Sequence, residues 1–300
     1  MAVTKKMTIV ARPHFTLSGT SIPLDPRVHA VRGDLADLAL AGQIFVPHYA
    51  RPKPMCCNQP SAKVIDKGAA EGKQISELIF GEEFMVVDIA GDYAWGYCRH
   101  DHYVGYVNTA ALAEPMGAEA NSVVTVREAL LHEAPSLESN TCGTLPMGAR
   151  IKGAAEGDFI KTDLGYIALK ALDWSFTDAA AVAETLVDVP YVWGGRSGFG
   201  IDCSGLVQIA LALSNGGAAP RDTDQQFAQL GQDIPSDVPL RRGDLIFLPG
   251  HIGIMVDGTS LVHANMFHEK TVIEPLAVVV SRYETDHEGV GITGRKRLSQ

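Results

Sequence analysis

The chain has 300 residues, 46% of them hydrophobic and 20% charged, and its 35 acidic against 25 basic residues leave a formal net charge of -10. At roughly 100–200 residues per domain the length suits two or three domains, and the ordinary composition excludes wholesale disorder. The acidic balance argues against nucleic acid as the main partner, which needs a basic face, but leaves room for a cationic or zwitterionic substrate.

Five cysteines are few for this length and cannot all pair, so reduced thiols are expected rather than a disulfide scaffold. Met1 to Phe15 offers only Met7 to Ala11 between Lys6 and Arg12, too short for a secretory core. No run approaches 18 apolar residues, so no membrane span is expected, and the plain reading is a soluble cytoplasmic protein. Residues 1–60 read as an N-terminal extension with a turn at Leu24-Asp25-Pro26-Arg27, a short helix at Leu35 to Ala41 and a linker at Arg51 to Pro54. Adjacent Cys56 and Cys57 read as small packed residues.

A repeat follows. Gly81-Glu82 with Phe84, Val86 and Val87 leads to Gly91-Asp92-Tyr93 and then Gly105-Tyr106-Val107 with Leu112. The second copy runs from Gly148-Ala149 through Gly157-Asp158-Phe159 to Gly165-Tyr166-Ile167 with Leu172. Short apolar strands between glycine turns make each copy a small antiparallel barrel, placed at 61–115 and 120–173. Both copies resemble bacterial SH3-like domains.

The pattern changes after Trp174. Thr177 is the expected N-cap of a helix through Ala179, Val182, Ala183 and Leu186, stopped by Pro190. A glycine-rich approach from Tyr191 enters a strongly apolar helix at Cys203 that stops at Asn215-Gly216-Gly217. A further helix is expected near Asp224 to Leu230. Strands are expected at Asp244 to Leu248, His251 to Val256, Ser260 to Ala264, Val272 to Pro275 and Gly294 to Leu298. Residues 176–300 therefore read as an α+β domain, a helix laid on an antiparallel sheet.

Cys203 opens its helix, with Asp202 placed to cap it, and the positive end of the helix dipole favours a thiolate there. His251 opens an alternating strand that would put Gly253 on its own face, leaving room for substrate. His263 follows across a hairpin turned at Asp257-Gly258 and can orient His251. The three give the nucleophile, base and orienter of a cysteine hydrolase.

Tyr191-Val-Trp-Gly-Gly, Asp202-Cys203-Ser204-Gly205-Leu206-Val207, Arg242-Gly243-Asp244-Leu245, Gly250-His251-Ile252-Gly253-Ile254 and His263-Ala264, in this order, resemble the NlpC-type cell-wall cysteine peptidases. The resemblance implies a circularly permuted papain-like domain preceded by two small all-β SH3-like barrels. It implies hydrolysis of the γ-D-glutamyl to diamino-acid bond of peptidoglycan stem peptides, with Cys203 as nucleophile, His251 as general base and His263 as the third member. The arrangement is similar to recycling endopeptidases that require a free N-terminal L-Ala, in which an acidic residue and a tyrosine bind the amine. The matching positions are Tyr191, Asp202 and Ser204 in the catalytic domain, with Tyr103 and Glu82 from the first barrel and Glu77 as the rival to Glu82. Asp101-His102-Tyr103 departs from the expected Asp-Gly-Tyr turn. Asp202 can equally be only a cap.

Arg221 and Asp222 either reach a substrate carboxylate or begin the next helix, and His268 reads as a loop residue. No metal set or phosphate loop stands out, and thiol hydrolysis needs no cofactor. The expected partner is a murein peptide, with meso-diaminopimelate or L-Lys left open, as is the oligomeric state. The competing readings are an exported wall lysin, a non-catalytic wall-peptide binder and a thiol amidase or acyltransferase on lipid or amino-acid amides.

Overall fold

The computed structural model describes residues 24–117, 122–214 and 217–298; Met1 to Phe15 and the Asn215-Gly216 helix stop lie outside them. Among the described residues, no helix is long and apolar enough to cross a membrane.

Residues 24–50 form a small unit with its own core of Ala36, Leu40 and Val46. The helix expected at Leu35 to Ala41 is instead a strand, Leu35–Asp37, paired parallel with His48–Ala50 and followed by a single 3₁₀ turn at Leu38–Leu40. The side chain of Asp37 accepts from Ala39 N and caps that turn. Seven residues are too few to hold an isolated helix once strand pairing is available. A second cluster, Ala30 with Val87 and Trp95, fastens this unit to the first barrel. There the Arg32 guanidinium lies 4.5 Å over the Trp95 ring and 2.6 Å from Asp88.

The first barrel begins earlier than expected. Lys53–Cys57, part of which was read as linker, is a strand between Glu83–Ala90 and Leu112–Ala113 in a seven-stranded sheet. Proline is tolerated because Leu112–Ala113 pairs only with Cys56 and Cys57, leaving Pro54 with an open edge. Cys56 and Cys57 are buried in packing, as expected.

The second β unit is a five-stranded antiparallel sheet from Thr141–Pro146 to Ala154–Glu156, with Ser122–Val123 paired to Arg150–Ile151 beside it. The duplication shows in the backbone. Gly81 and Gly148 turn at φ 82° and 88°, and Gly91 and Gly157 at φ 59° and 61°, left-handed values that glycine adopts freely. Each unit then closes through a 3₁₀ turn, Thr109–Ala111 or Leu169–Ala171, that delivers a buried leucine, Leu112 or Leu172.

The last unit has four helices and a six-stranded antiparallel sheet. Helix α1 is Ala179–Thr185, capped by Asp178 rather than Thr177: the Asp178 carboxylate accepts from Ala181 N at 2.8 Å. Helix α2 is Cys203–Leu213, α3 is Thr223–Gln229 and α4 is Leu276–Asp286. The strand order is Gln232–Asp233, Gly294–Arg297, Leu245–Leu248, His251–Met255, Ser260–Asn265, Lys270–Pro275. One sheet face packs on α1 and α2, and these share a single core with the second β unit through Leu145, Met147, Ile167 and Ile209. The other face, Ile246, Leu248, Met255 and Leu261, is covered by Leu276 and Val279 of α4. Gly253 sits tightly against this layer: a Cβ there would lie 2.8 Å from Leu261. Its missing side chain accommodates Leu261, not a substrate.

Candidate active site

Cys203 is the first residue of α2 because Asp202 is extended (φ -100°, ψ 177°) and its Oδ1 accepts from Gly205 N at 2.7 Å. Asp202 Oδ2 accepts from Gly194 N at 2.9 Å, which ties the glycine-rich approach to the helix start. The same carboxylate faces Arg221, at 2.5 Å from Nη2 and 3.1 Å from Nη1, and Arg221 also donates to Ser204 Oγ at 2.8 Å. Arg221 is 1% exposed, so this is a buried ion pair that breaking on one side would leave as a lone charge. It does not reach free solvent but braces the turn that presents the thiol, and the adjoining Asp222 caps α3, as expected of this segment.

Cys203 is buried, with Sγ 3.9 Å from Thr223 Oγ1. Burial, and then the adjacent Asp202 carboxylate, push its thiol up to about 11, against the smaller favourable effects of the Ile252 amide, Thr223 and Arg221. The thiolate expected from the helix dipole is therefore not the resting state: desolvation outweighs the dipole, and the proton must be removed by a base.

His251 opens the strand His251–Met255. It is 5% exposed, and burial, followed by the charge of His263, lowers its pKa to about 3, so it is neutral and able to accept a proton near neutrality. His251 Nε2 is 2.7 Å from His263 Nδ1. The His251 ring also stacks on Tyr283 of α4, centroids 5.5 Å apart and planes at 22°. Beyond His263, its Nε2 is 2.9 Å from Glu274 Oε1, and Glu274 is held by Arg282 through contacts of 3.0 and 2.8 Å. His251 and His263 thus meet on the α4 side of the sheet, and Cys203 at the start of α2 lies near enough to act on Tyr283, on which His251 stacks.

Tyr191 lies close enough to Cys203 and Asp202 that their charges, after burial, raise its phenol. Tyr103 reaches the catalytic unit from the first barrel, its hydroxyl donating to Asp222 at 3.0 Å. The irregular turn before it is made possible by His102 in the left-handed region, φ 61°, where the expected glycine would sit. Asp222 also receives Arg27 Nη1 at 2.8 Å from the N-terminal unit, and Arg27 binds Asp224 and Asp25 in addition.

Glu82 is placed elsewhere. Its carboxylate meets the buried Arg196 at 2.9 and 3.3 Å and accepts from Ile79 N, and it borders a separate cavity of about 620 Å³ with Cys56, Arg99, His100 and Arg150. Glu77 is likewise engaged, accepting from Arg196 N at 2.7 Å. A buried guanidinium needs compensation, and the Glu82 carboxylate and the Glu77 backbone carbonyl provide it where the first barrel meets the last unit. Neither is available to a substrate amine. Asp202 and Ser204 are beside the thiol, but Arg221 occupies both.

Reading the sequence missed Tyr283, Glu274, Arg282 and Arg196. The spacing of Leu276, Val279, Val280 and Tyr283 is a helical stripe that could have found α4. His268 Nε2 comes within 3.4 Å of Glu274, so it belongs to the edge of this network. Among the described residues, no cluster of three or more His, Cys, Asp or Glu could hold a metal ion.

Residues 188–287 match the NlpC/P60 family, and residues 64–112 match the bacterial dipeptidyl-peptidase Sh3 domain. A dipeptidyl-peptidase 6 from Lysinibacillus sphaericus is 28% identical over 224 residues, covering 64% of this chain and 80% of that protein. A gamma-D-glutamyl-L-lysine dipeptidyl-peptidase from Bacillus subtilis is 35% identical over 117 residues, covering 36% of this chain and 38% of that protein. The crystal structure of an NlpC/P60 family protein from Bacillus cereus superposes with a TM-score of 0.69 at 17% identity, covering 82% of this chain and 99% of that one. Residues 188–287 are therefore an NlpC/P60 peptidase domain of papain-like fold, and an N-terminal bacterial SH3 domain precedes it.

Proposed function

We propose that the protein is a cysteine endopeptidase that hydrolyses the γ-D-glutamyl to diamino-acid bond of peptidoglycan stem peptides bearing a free N-terminal L-Ala, and that it serves murein recycling in the cytoplasm. Cys203 attacks the γ-glutamyl carbonyl as its proton passes to His251. The amine of the diamino acid leaves with that proton, and water then releases L-Ala-D-Glu from the thioester. The backbone N–H of Cys203, at the start of α2, is offered to the oxyanion.

The observation that carries the reading is the contact of Tyr103 with Asp222, next to Thr223 at the thiol. One end of the cleft is thereby built from the N-terminal unit, the first barrel and α3 together, and it is polar and carboxylate-bearing. Three carboxylates, Asp25, Asp222 and Asp224, gather there around the Arg27 guanidinium, so a peptide ammonium still meets net negative charge, whereas an acylated or glycan-linked terminus brings no charge to it. In this reading Asp222 takes the role expected of Glu82, with Tyr103 and Tyr191 beside it. That one relative is a dipeptidyl-peptidase 6 and another a gamma-D-glutamyl-L-lysine dipeptidyl-peptidase is in keeping with it. Five unpaired thiols suit a reducing compartment.

The test is a mass-spectrometric assay of L-Ala-D-Glu release from L-Ala-γ-D-Glu-diaminopimelate and its L-Lys counterpart, from their N-acetylated forms and from intact sacculi. Cleavage of the free peptides alone is expected. Cleavage of sacculi with the free peptides untouched would favour an exported lysin and overturn the recycling assignment.

A further inference from the structure

We propose that Glu274 is a positioning residue for the peptidase reaction, selecting through His263 the tautomer in which His251 can accept the proton of Cys203. This deepens the hydrolytic reading above and rests on it.

The argument follows the protons along the chain of contacts. Glu274 Oε1 lies 2.9 Å from His263 Nε2, and two contacts from Arg282 keep the carboxylate ionised and fixed. A carboxylate at that distance requires a proton on His263 Nε2, since two bare acceptors would repel. His263 Nδ1 is then a lone pair, so His251 Nε2, 2.7 Å away, must carry the hydrogen and donate it. The only unprotonated nitrogen left on His251 is Nδ1, which takes the Cys203 proton. When that transfer occurs His251 becomes an imidazolium, its new charge is shared with His263 along the hydrogen bond, and Glu274 remains a carboxylate throughout. No further proton acceptor is needed.

A competitor sits in the same place. Asn265 Nδ2 lies 3.2 Å from His263 Nε2, and its orientation is set by His268 N, which donates to Asn265 Oδ1 at 2.8 Å. An amide N–H there asks for the opposite state, a bare Nε2 on His263. That state would move the hydrogen to His263 Nδ1, make His251 Nε2 an acceptor and put the hydrogen on His251 Nδ1, where it blocks the base. The charged contact is the shorter of the two and prevails. Removing Glu274 hands His263 to Asn265.

The groups facing the pair are Cys203 from α2, Tyr283 and Arg282 from α4, and Asn265, His268 and Glu274 from the outer strands and their loop. Arg282 also lies 4.0 Å over the Phe267 ring, which limits how far it can follow a lost partner.

The experiment combines kinetics with nitrogen NMR of the histidine rings in the full chain. In Glu274→Ala, kcat on the free tripeptide should fall about 10- to 100-fold with KM changed less than about twofold. His251 Nδ1, bare in the unsubstituted protein, should become protonated. Adding Asn265→Ala should return Nδ1 to the bare state in part of the population and recover part of kcat, which a merely structural loss would not do. Glu274→Gln guards against misfolding and should show an intermediate loss, with a shifted acid limb in the kcat pH profile. A protonated His251 Nδ1 in the unsubstituted protein, or unchanged tautomers and kcat in Glu274→Ala, would overturn the proposal. The NMR result needs no substrate. If the tripeptide is not cleaved at all, the functional reading fails while the tautomer still judges Glu274.

Discussion

At Cys203 two opposing influences can be ranked. The helix N-terminus favours the thiolate, but burial and Asp202 act against it and win, holding the thiol near 11. Alkylation of Cys203 by iodoacetamide should therefore keep accelerating above pH 9. Asp202→Asn should move the midpoint downward, because it removes a neighbouring negative charge and frees Arg221 to act on the thiol. An unchanged midpoint would mean that Asp202 does not set the thiol's acidity. His251 gives a second prediction at this scale. Its folded pKa of about 3 lies below the ordinary 6.5, so the unfolded chain binds a proton that the fold refuses. Above pH 6.5 both states are neutral and this residue contributes no pH dependence. Below it, stability falls as pH falls, by about 1.4 kcal/mol per pH unit, or about 2 kcal/mol by pH 5. Glu274, held below the usual carboxylate range chiefly by His263 and Arg282 against its burial, adds loss in the same direction below about pH 4.5. Denaturant titrations at pH 7, 6 and 5 should show this decline, and it should be shallower in His251→Asn.

Among the elements, those whose patterns repeat at short range were legible. The five expected sheet strands of the catalytic unit occur within a residue or two, because alternating apolar runs between glycine turns leave few other pairings. The two β modules were legible for the same reason. Three elements were not. Lys53–Cys57 hid behind its proline, which an edge position excuses. Leu35–Asp37 looked helical by composition and was claimed by a parallel partner. Helix α4 has its apolar stripe but follows a strand without a break, since Pro275 ends the strand and caps the helix at once. The site was legible to the extent that it is local: Cys203, Asp202, His251 and His263 sit at motif positions. Glu82 was misplaced because its partner Arg196 is 114 residues away and no local pattern announces the pair. Arg196 gives this scale its prediction. Arg196→Ala strands the buried Glu82 carboxylate and should destabilise the protein by about 3–5 kcal/mol in denaturant melts. Glu82→Gln should lower stability less and leave discrimination against acetylated peptide intact. Loss of that discrimination in Glu82→Gln would return Glu82 to the substrate site.

For the whole molecule, the second β unit and the last unit share one core, while the first barrel and residues 24–50 carry their own cores, join each other through Ala30, Val87 and Trp95, and meet the last unit through the polar contacts of Arg27, Glu82 and Tyr103. Arg27 and Tyr103 converge on Asp222 from these two attachments. The length that first suggested two or three domains is thus divided among a last unit sharing its core with the second β unit, the first barrel and a small unit at 24–50. Tyr103→Phe removes one hydroxyl and should narrow the preference for free over N-acetylated peptide by about 3- to 10-fold in kcat/KM, a loss of the size of one ordinary hydrogen bond. The most direct measurement is the release of L-Ala-D-Glu from L-Ala-γ-D-Glu-diaminopimelate by the intact chain and by Cys203→Ala, each with the free and the N-acetylated peptide. The account predicts rapid release from the free peptide, little from the acetylated one, and a fall of at least roughly 1,000-fold in Cys203→Ala. Equal cleavage of both peptides would contradict the amine-reading cleft, and activity surviving Cys203→Ala would contradict the thiol mechanism itself.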